Sequence, residues 1–122
     1  MFILLFLAST TSSAGAPDPK MLKTSVETLV SFGTRHTLSS STDPKRGIGA
    51  ARTWVAERFT KLGLTVDLPA KRFDGPRAPD GVEIINVMGI QRGTGDPNDV
   101  VIVAGHIDSR VTDIMKIGRA HV

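Results

Sequence analysis

His106 and Asp108, near the end of the chain, are the residues whose types and spacing can do chemistry together. Residues i and i+2 of an extended segment point to the same side, so the Asp108 carboxylate is placed to reach the His106 imidazole. A metal-bound histidine usually gives its other ring N–H to a carboxylate or carbonyl, which fixes its tautomer and orientation. His-x-Asp is therefore a candidate metal ligand, His106, with its own orienting acid, Asp108. Gly105 removes a side chain where the backbone can pass close to the site. By itself the tripeptide is short, and a histidine at a strand end is more often a solvated or hydrogen-bonded residue than a ligand.

The elements that must position this pair can be read upstream. Residues 99–105 contain Val100, Val101, Ile102, Val103 and Ala104. This unbroken apolar run reads as a strand buried on both faces, as in the middle of an α/β sheet. Ligands in open α/β sheets bind beyond the carboxyl ends of the strands, where His106 and Asp108 fall. Residues 17–20 read as a linker. Leu22, Val26, Leu29 and Val30 then recur at helical spacing over residues 21–32, with Gly33 as the stop. The Ser- and Thr-rich stretch 34–42 is a loop. Asp43-Pro44 is a helix-start signal, and Ile48, Ala51, Val55, Phe59 and Leu62 form an amphipathic stripe ending at Gly63. Leu64, Val66 and Leu68 alternate as in a short half-buried strand. Residues 69–81, with Pro69, Pro76 and Pro79, are expected to be irregular. Residues 82–91 form a second strand and 92–98 a turn. Two helices followed by three strands predict an α/β fold, the start of a mixed, mainly parallel sheet with helices on both faces.

Composition narrows the function classes. The chain has 122 residues and 40% hydrophobic content, enough for one small domain. It has no cysteine, which excludes a disulfide framework and a thiolate zinc site. Fifteen basic and twelve acidic residues give a net charge of +3. Lys116 and Arg119 lie in the last seven positions, which leaves 13 basic against 12 acidic residues between Pro17 and Met115. The basic residues there are scattered, with no run interleaved by aromatics, so nucleic acid is not an expected partner. His36 in the loop, Asn86 after a strand and Trp54 on the second helix read as structural residues. Gly93-Thr94-Gly95 reads as a turn and not a phosphate cradle.

The segment Val101-Ile-Val-Ala-Gly-His-Ile-Asp-Ser109 resembles the first metal-ligand motif of the co-catalytic zinc exopeptidases, the family of secreted bacterial leucyl aminopeptidases and aminopeptidase Y. Ser31-Phe-Gly-Thr-Arg-His-Thr37, the helix through Arg52-Thr-Trp-Val55, and Ile85-Asn-Val-Met-Gly-Ile90 are similar to that family in order and spacing. The resemblance covers nearly everything from Met21 to Met115. It implies a zinc-exopeptidase-like mixed sheet flanked by helices, hydrolysis of N-terminal bonds in peptide or protein substrates, and two zinc ions in the full-length parent. It makes His106 a ligand of one zinc and Asp108 the active-site acid that orients it. The family's bridging aspartate, Glu-Glu pair, further acidic ligand and second histidine have no match. The last glutamate is Glu83, and Asp113 matches no ligand position. The resemblance thus implies the N-terminal part of a peptidase domain over residues 17–115, inactive as it stands. The alternative is a non-catalytic binding or receptor-type ectodomain of the same fold.

The two ends carry expectations of their own. Residues 2–8 are an unbroken apolar run, and Ala14-Gly15-Ala16 is an A-x-A cleavage site, so residues 1–16 read as a signal peptide for a secreted or periplasmic protein. No basic residue precedes the run, and the competing reading is a buried N-terminal strand or helix. The run is too short to span a bilayer, which needs about 20 residues. Residues 117–122, Ile-Gly-Arg-Ala-His-Val, can be written back codon for codon as a frame of a common sequencing-library adapter that continues into a stop codon. Residues 116–122 are accordingly expected to be adapter-encoded, with a natural tail as the alternative.

Overall fold

The computed structural model describes residues 15–110. The apolar run of the expected signal peptide, Asp113 and the adapter-like tail lie outside the described residues. The chain order is helix α1 (Pro19–Ser31), helix α2 (Gly47–Lys61), then strands β1 (Thr65–Asp67), β2 (Ala70–Gly75), β3 (Ala78–Ile85) and β4 (Met88–Ile90). The class is α/β, as expected. The expected mainly parallel pairing is not what the described residues show: β1 pairs with β4 and β2 with β3, both antiparallel, because short turns and a continuous register join them as hairpin-type neighbours.

Helix α1 starts two residues earlier than its apolar periodicity predicts. Asp18 has extended backbone and its carboxylate accepts the Lys20 N–H at 3.0 Å, with Pro19 in the first turn. This is a side-chain N-cap followed by a residue whose φ already suits a helix. The helix exposes most of its apolar stripe: Met21, Leu22, Val26 and Val30 are all exposed, and no α1 residue is buried.

Helix α2 starts later than the Asp43-Pro44 signal predicts. The Asp43 carboxylate accepts the Lys45 N–H at 2.8 Å and makes a turn there. Arg46 is extended and gives no side-chain cap, and Gly47 has φ +81°. The free N–H groups of the first turn find partners from the preceding loop instead. Gly47 N–H donates to the Phe32 carbonyl at 3.0 Å, Ile48 N–H to Ser39 Oγ at 2.9 Å and Gly49 N–H to the Ser40 carbonyl at 3.1 Å. A helix start needs such acceptors wherever water is excluded. The small core lies here: Ile48, Ala50 and Ala51 are buried, as are Thr34 and Ser39 of the loop. A Cβ on Gly49 would overlap the Ser41 carbonyl, so glycine permits this close backbone approach. At the far side, the Phe32 and Trp54 rings pack at a centroid distance of 6.5 Å, tilted by 59°, which agrees with a packing role for Trp54.

The stretch expected to be irregular holds a hairpin. Strands β2 and β3 pair from Ala70↔Ile85 to Phe73↔Val82, and Gly75↔Ala78 closes the end after a register irregularity. A two-stranded pair has only edge strands, where proline is tolerated because its missing N–H can face away from the ladder. Pro76 falls between the strands and Pro79 inside β3. The register also runs straight through to the β1–β4 pair. Asp67 faces Met88 and Ala70 faces Ile85, so Leu68 and Pro69 stand opposite Val87 and Asn86. Asn86 N–H donates to the Pro69 carbonyl at 3.1 Å, bridging the gap. The expected strand over residues 82–91 is therefore β3 and β4 with a break at Asn86-Val87, and the four strands form one interrupted antiparallel ribbon. Its base packs on α2, where Gly89 lies close against Phe59 and Leu64.

The run expected to be a doubly buried strand is neither a strand nor buried. Residues 99–105 have no ladder partner among the described residues. Val100, Val101, Ile102 and Val103 are 75–93% exposed. An apolar strand forms only where neighbouring strands accept its backbone bonds and cover its side chains. The ribbon does not extend to this segment.

Candidate functional site

The His106 Nδ1 lies 3.0 Å from Asp108 Oδ1, as i, i+2 spacing in an extended segment predicts. A carboxylate only accepts, so in the neutral imidazole Nδ1 donates and Nε2 keeps its lone pair. That is the tautomer a metal ligand needs. The His106 side chain is 95% exposed and that of Asp108 45%. The pair thus stands at the surface, with the imidazole open to whatever approaches.

The segment carrying the pair is held by Arg35, from the loop after α1. The Arg35 N–H donates to Ser109 Oγ at 2.8 Å, and Ser109 N–H donates back to the Arg35 carbonyl at 3.2 Å. The Arg35 side chain adds Nε to the Ile107 carbonyl at 2.8 Å and Nη1 to the Leu29 carbonyl at 2.6 Å. Burial lowers the Arg35 pKa from its ordinary value, and the nearby Asp108 charge opposes that shift. A guanidinium stays charged across any ordinary pH, so its bonds to both carbonyls are charge-assisted. The resemblance makes Thr34-Arg35-His36 a structural motif without saying what Arg35 holds. Only its contacts across more than seventy positions reveal that.

His36, beside Arg35, is a structural residue as expected. Its Nδ1 accepts the Leu38 N–H at 3.1 Å, and its carbonyl accepts from Ser39 Oγ at 2.6 Å and from Ser39 N–H at 2.8 Å. The loop it shapes is the one that caps α2. Arg52, in the second turn of α2, is buried and donates from Nε to the Ile48 carbonyl at 3.4 Å. Burial lowers its pKa, with the Glu83 charge opposing.

Among the described residues, no three His, Cys, Asp or Glu side chains converge on a point that could hold a metal ion. A zinc site needs about three protein ligands even when one position stays open. His106 has the chemistry of one such ligand. No helix among the described residues is long and apolar enough to cross a membrane.

The chain is homologous to proteins named "Probable zinc metalloprotease". One from Pyricularia oryzae is 44% identical over 85% of this chain, and the match takes in 22% of that relative. Another from Phaeosphaeria nodorum is 42% identical over 73% of this chain and 20% of the relative. A third from Pyrenophora teres f. teres is 41% identical, covering 77% and 21%. The chain spans about a fifth of the length of the curated relatives it matches. Their shared name specifies zinc and proteolysis and leaves the type of peptide bond open. No protein-family model and no solved structure matches the chain.

Proposed function

We propose that this chain is the N-terminal part of an exported zinc aminopeptidase of the co-catalytic type. In it His106 is a ligand to one of two zinc ions and Asp108 holds the imidazole in the ligating tautomer. The observation that carries this reading is the 3.0 Å contact of His106 Nδ1 with Asp108, on an imidazole that is otherwise exposed. Similarity to proteins named zinc metalloproteases supports the metal and the hydrolysis. The choice of aminopeptidase rests on the Gly-His-Ile-Asp-Ser segment and the three upstream segments in family order. The substrates are peptides or proteins with a free N-terminus. The remaining ligands and the general base are assigned to sequence that this chain does not contain, so the chain alone is inactive. Export rests on the apolar run and the Ala-Gly-Ala site of residues 1–16.

The test is the purified product of the complete gene, assayed with zinc on peptides with free and with acetylated N-termini. Release of N-terminal residues from the free peptides alone, abolished by a chelator, is expected. Internal cleavage would contradict the aminopeptidase assignment. A protein that binds peptides without cutting them would favour the receptor-type reading.

A further inference from the structure

We propose that Arg35 is the positioning residue of the His106–Asp108 pair, tying the segment that carries it to the C-terminal turn of α1. This rests on the role proposed for the pair. The expected support was a sheet strand over residues 99–105, and that stretch makes no ladder bonds among the described residues. What holds the segment is bonding around Arg35. Ile107 lies between His106 and Asp108, and its carbonyl accepts from Arg35 Nε. Ser109 follows Asp108 directly and bonds the Arg35 backbone in both directions. Asp108 is thus fixed on both sides, and Asp108 in turn holds His106. The other end of the guanidinium is anchored on the Leu29 carbonyl of α1.

The chemistry requires arginine. The Leu29 and Ile107 carbonyls are engaged by two different nitrogens of one rigid planar group. A lysine ammonium keeps the charge but concentrates its donors on one atom at the end of a flexible stem. It can satisfy one carbonyl or the other, and the link between α1 and the segment is lost. This separates a positioning role from general stabilisation, because charge without the fork does not restore it.

The test is amide hydrogen exchange and His106 ring resonances by NMR on the labelled chain, with variants Arg35→Ala, Arg35→Lys and Ser109→Ala. In Arg35→Ala the Ser109 amide is expected to exchange about tenfold faster or more, as follows from losing two hydrogen bonds that each contribute modestly to holding the segment. The His106 ring resonances move with it. Arg35→Lys gives the same result, and Ser109→Ala, which removes one bond, moves the His106 resonances in the same direction. Ile48 and Ala51, at the α2 start, keep their wild-type protection in all three. Wild-type Ser109 protection in Arg35→Ala or Arg35→Lys would overturn the proposal. So would an equal loss at Ile48 and Ala51, which would make Arg35 a general fold residue. Neither zinc nor turnover enters the measurement, so its failure is distinct from failure of the aminopeptidase reading.

Discussion

Arg35 and Ser109, 74 positions apart, exchange hydrogen bonds in both directions: Arg35 N–H to Ser109 Oγ at 2.8 Å and Ser109 N–H to the Arg35 carbonyl at 3.2 Å. This is the link that ties the segment carrying His106 and Asp108 to the loop between α1 and α2. It joins the chemistry-bearing end of the chain to its best-packed part, since the same loop caps α2 beside buried Ile48, Ala50 and Ala51.

Replacing Asp108 is expected to weaken the site without unfolding it. Asp108→Asn in the full-length protein keeps the side-chain shape and removes the charge facing His106 Nδ1. Partners of this kind are typically worth about 10- to 100-fold in metal affinity or activity. A zinc titration and kcat/KM on one peptide check this, with an unchanged melting temperature as control.

Gly49→Ala is expected to destabilise the start of α2. The new Cβ meets the Ser41 backbone, which cannot rotate away as a side-chain tip could. Overpacking of this kind costs about 1–3 kcal/mol. Thermal or urea melting reads it. A stabilised variant, as alanine for glycine gives in an open helix, would contradict the close approach.

Ser39→Ala removes the acceptor for the Ile48 N–H and the donor to the His36 carbonyl. The Ile48 N–H is buried, and a buried donor left unsatisfied costs about 1–3 kcal/mol. Ser39→Thr keeps the hydroxyl and is expected to recover part of the loss in the same melt.

Val101 and Val103 are more than nine-tenths exposed in a run of apolar residues with high β-propensity. Such a stretch is a template for pairing between chains. The 122-residue chain is expected to aggregate as concentration rises, and Val101→Lys with Val103→Lys to shift the onset upward. Light scattering against concentration checks both. An unchanged onset would place the cause elsewhere, for instance on the exposed α1 stripe.

Much of this was legible because it is local. The α2 stripe, the short strand around Val66, the turn over 92–98 and the His106–Asp108 contact all follow from periodicity or i, i+2 geometry. The misses are non-local or depend on which competing cap wins. Asp-Pro occurs three times: at Asp18-Pro19 it starts a helix, and at Asp43-Pro44 and Asp96-Pro97 it makes only a turn. At Asp43-Pro44 the difference is the Ser39–Ser40 segment, which supplies the α2 acceptors from outside the helix and moves the start to Gly47. The β2–β3 hairpin was hidden by its prolines, which an edge strand accepts. The role of Arg35 could not be read because its partners, Ile107 and Ser109, lie far along the chain. The exposed run 100–103 carries a strand's composition without the neighbours that would make it one.

The most direct test of the central claim is the zinc content of the full-length protein with and without His106. Purified wild type and His106→Ala, matched for folding by melting, are dialysed against metal-free buffer and assayed for bound zinc. The account predicts that His106→Ala loses one zinc per chain, with peptide hydrolysis falling at least about 100-fold, beyond what loss of an orienting partner alone produces. Wild-type zinc content and activity in His106→Ala would show that the histidine is no ligand.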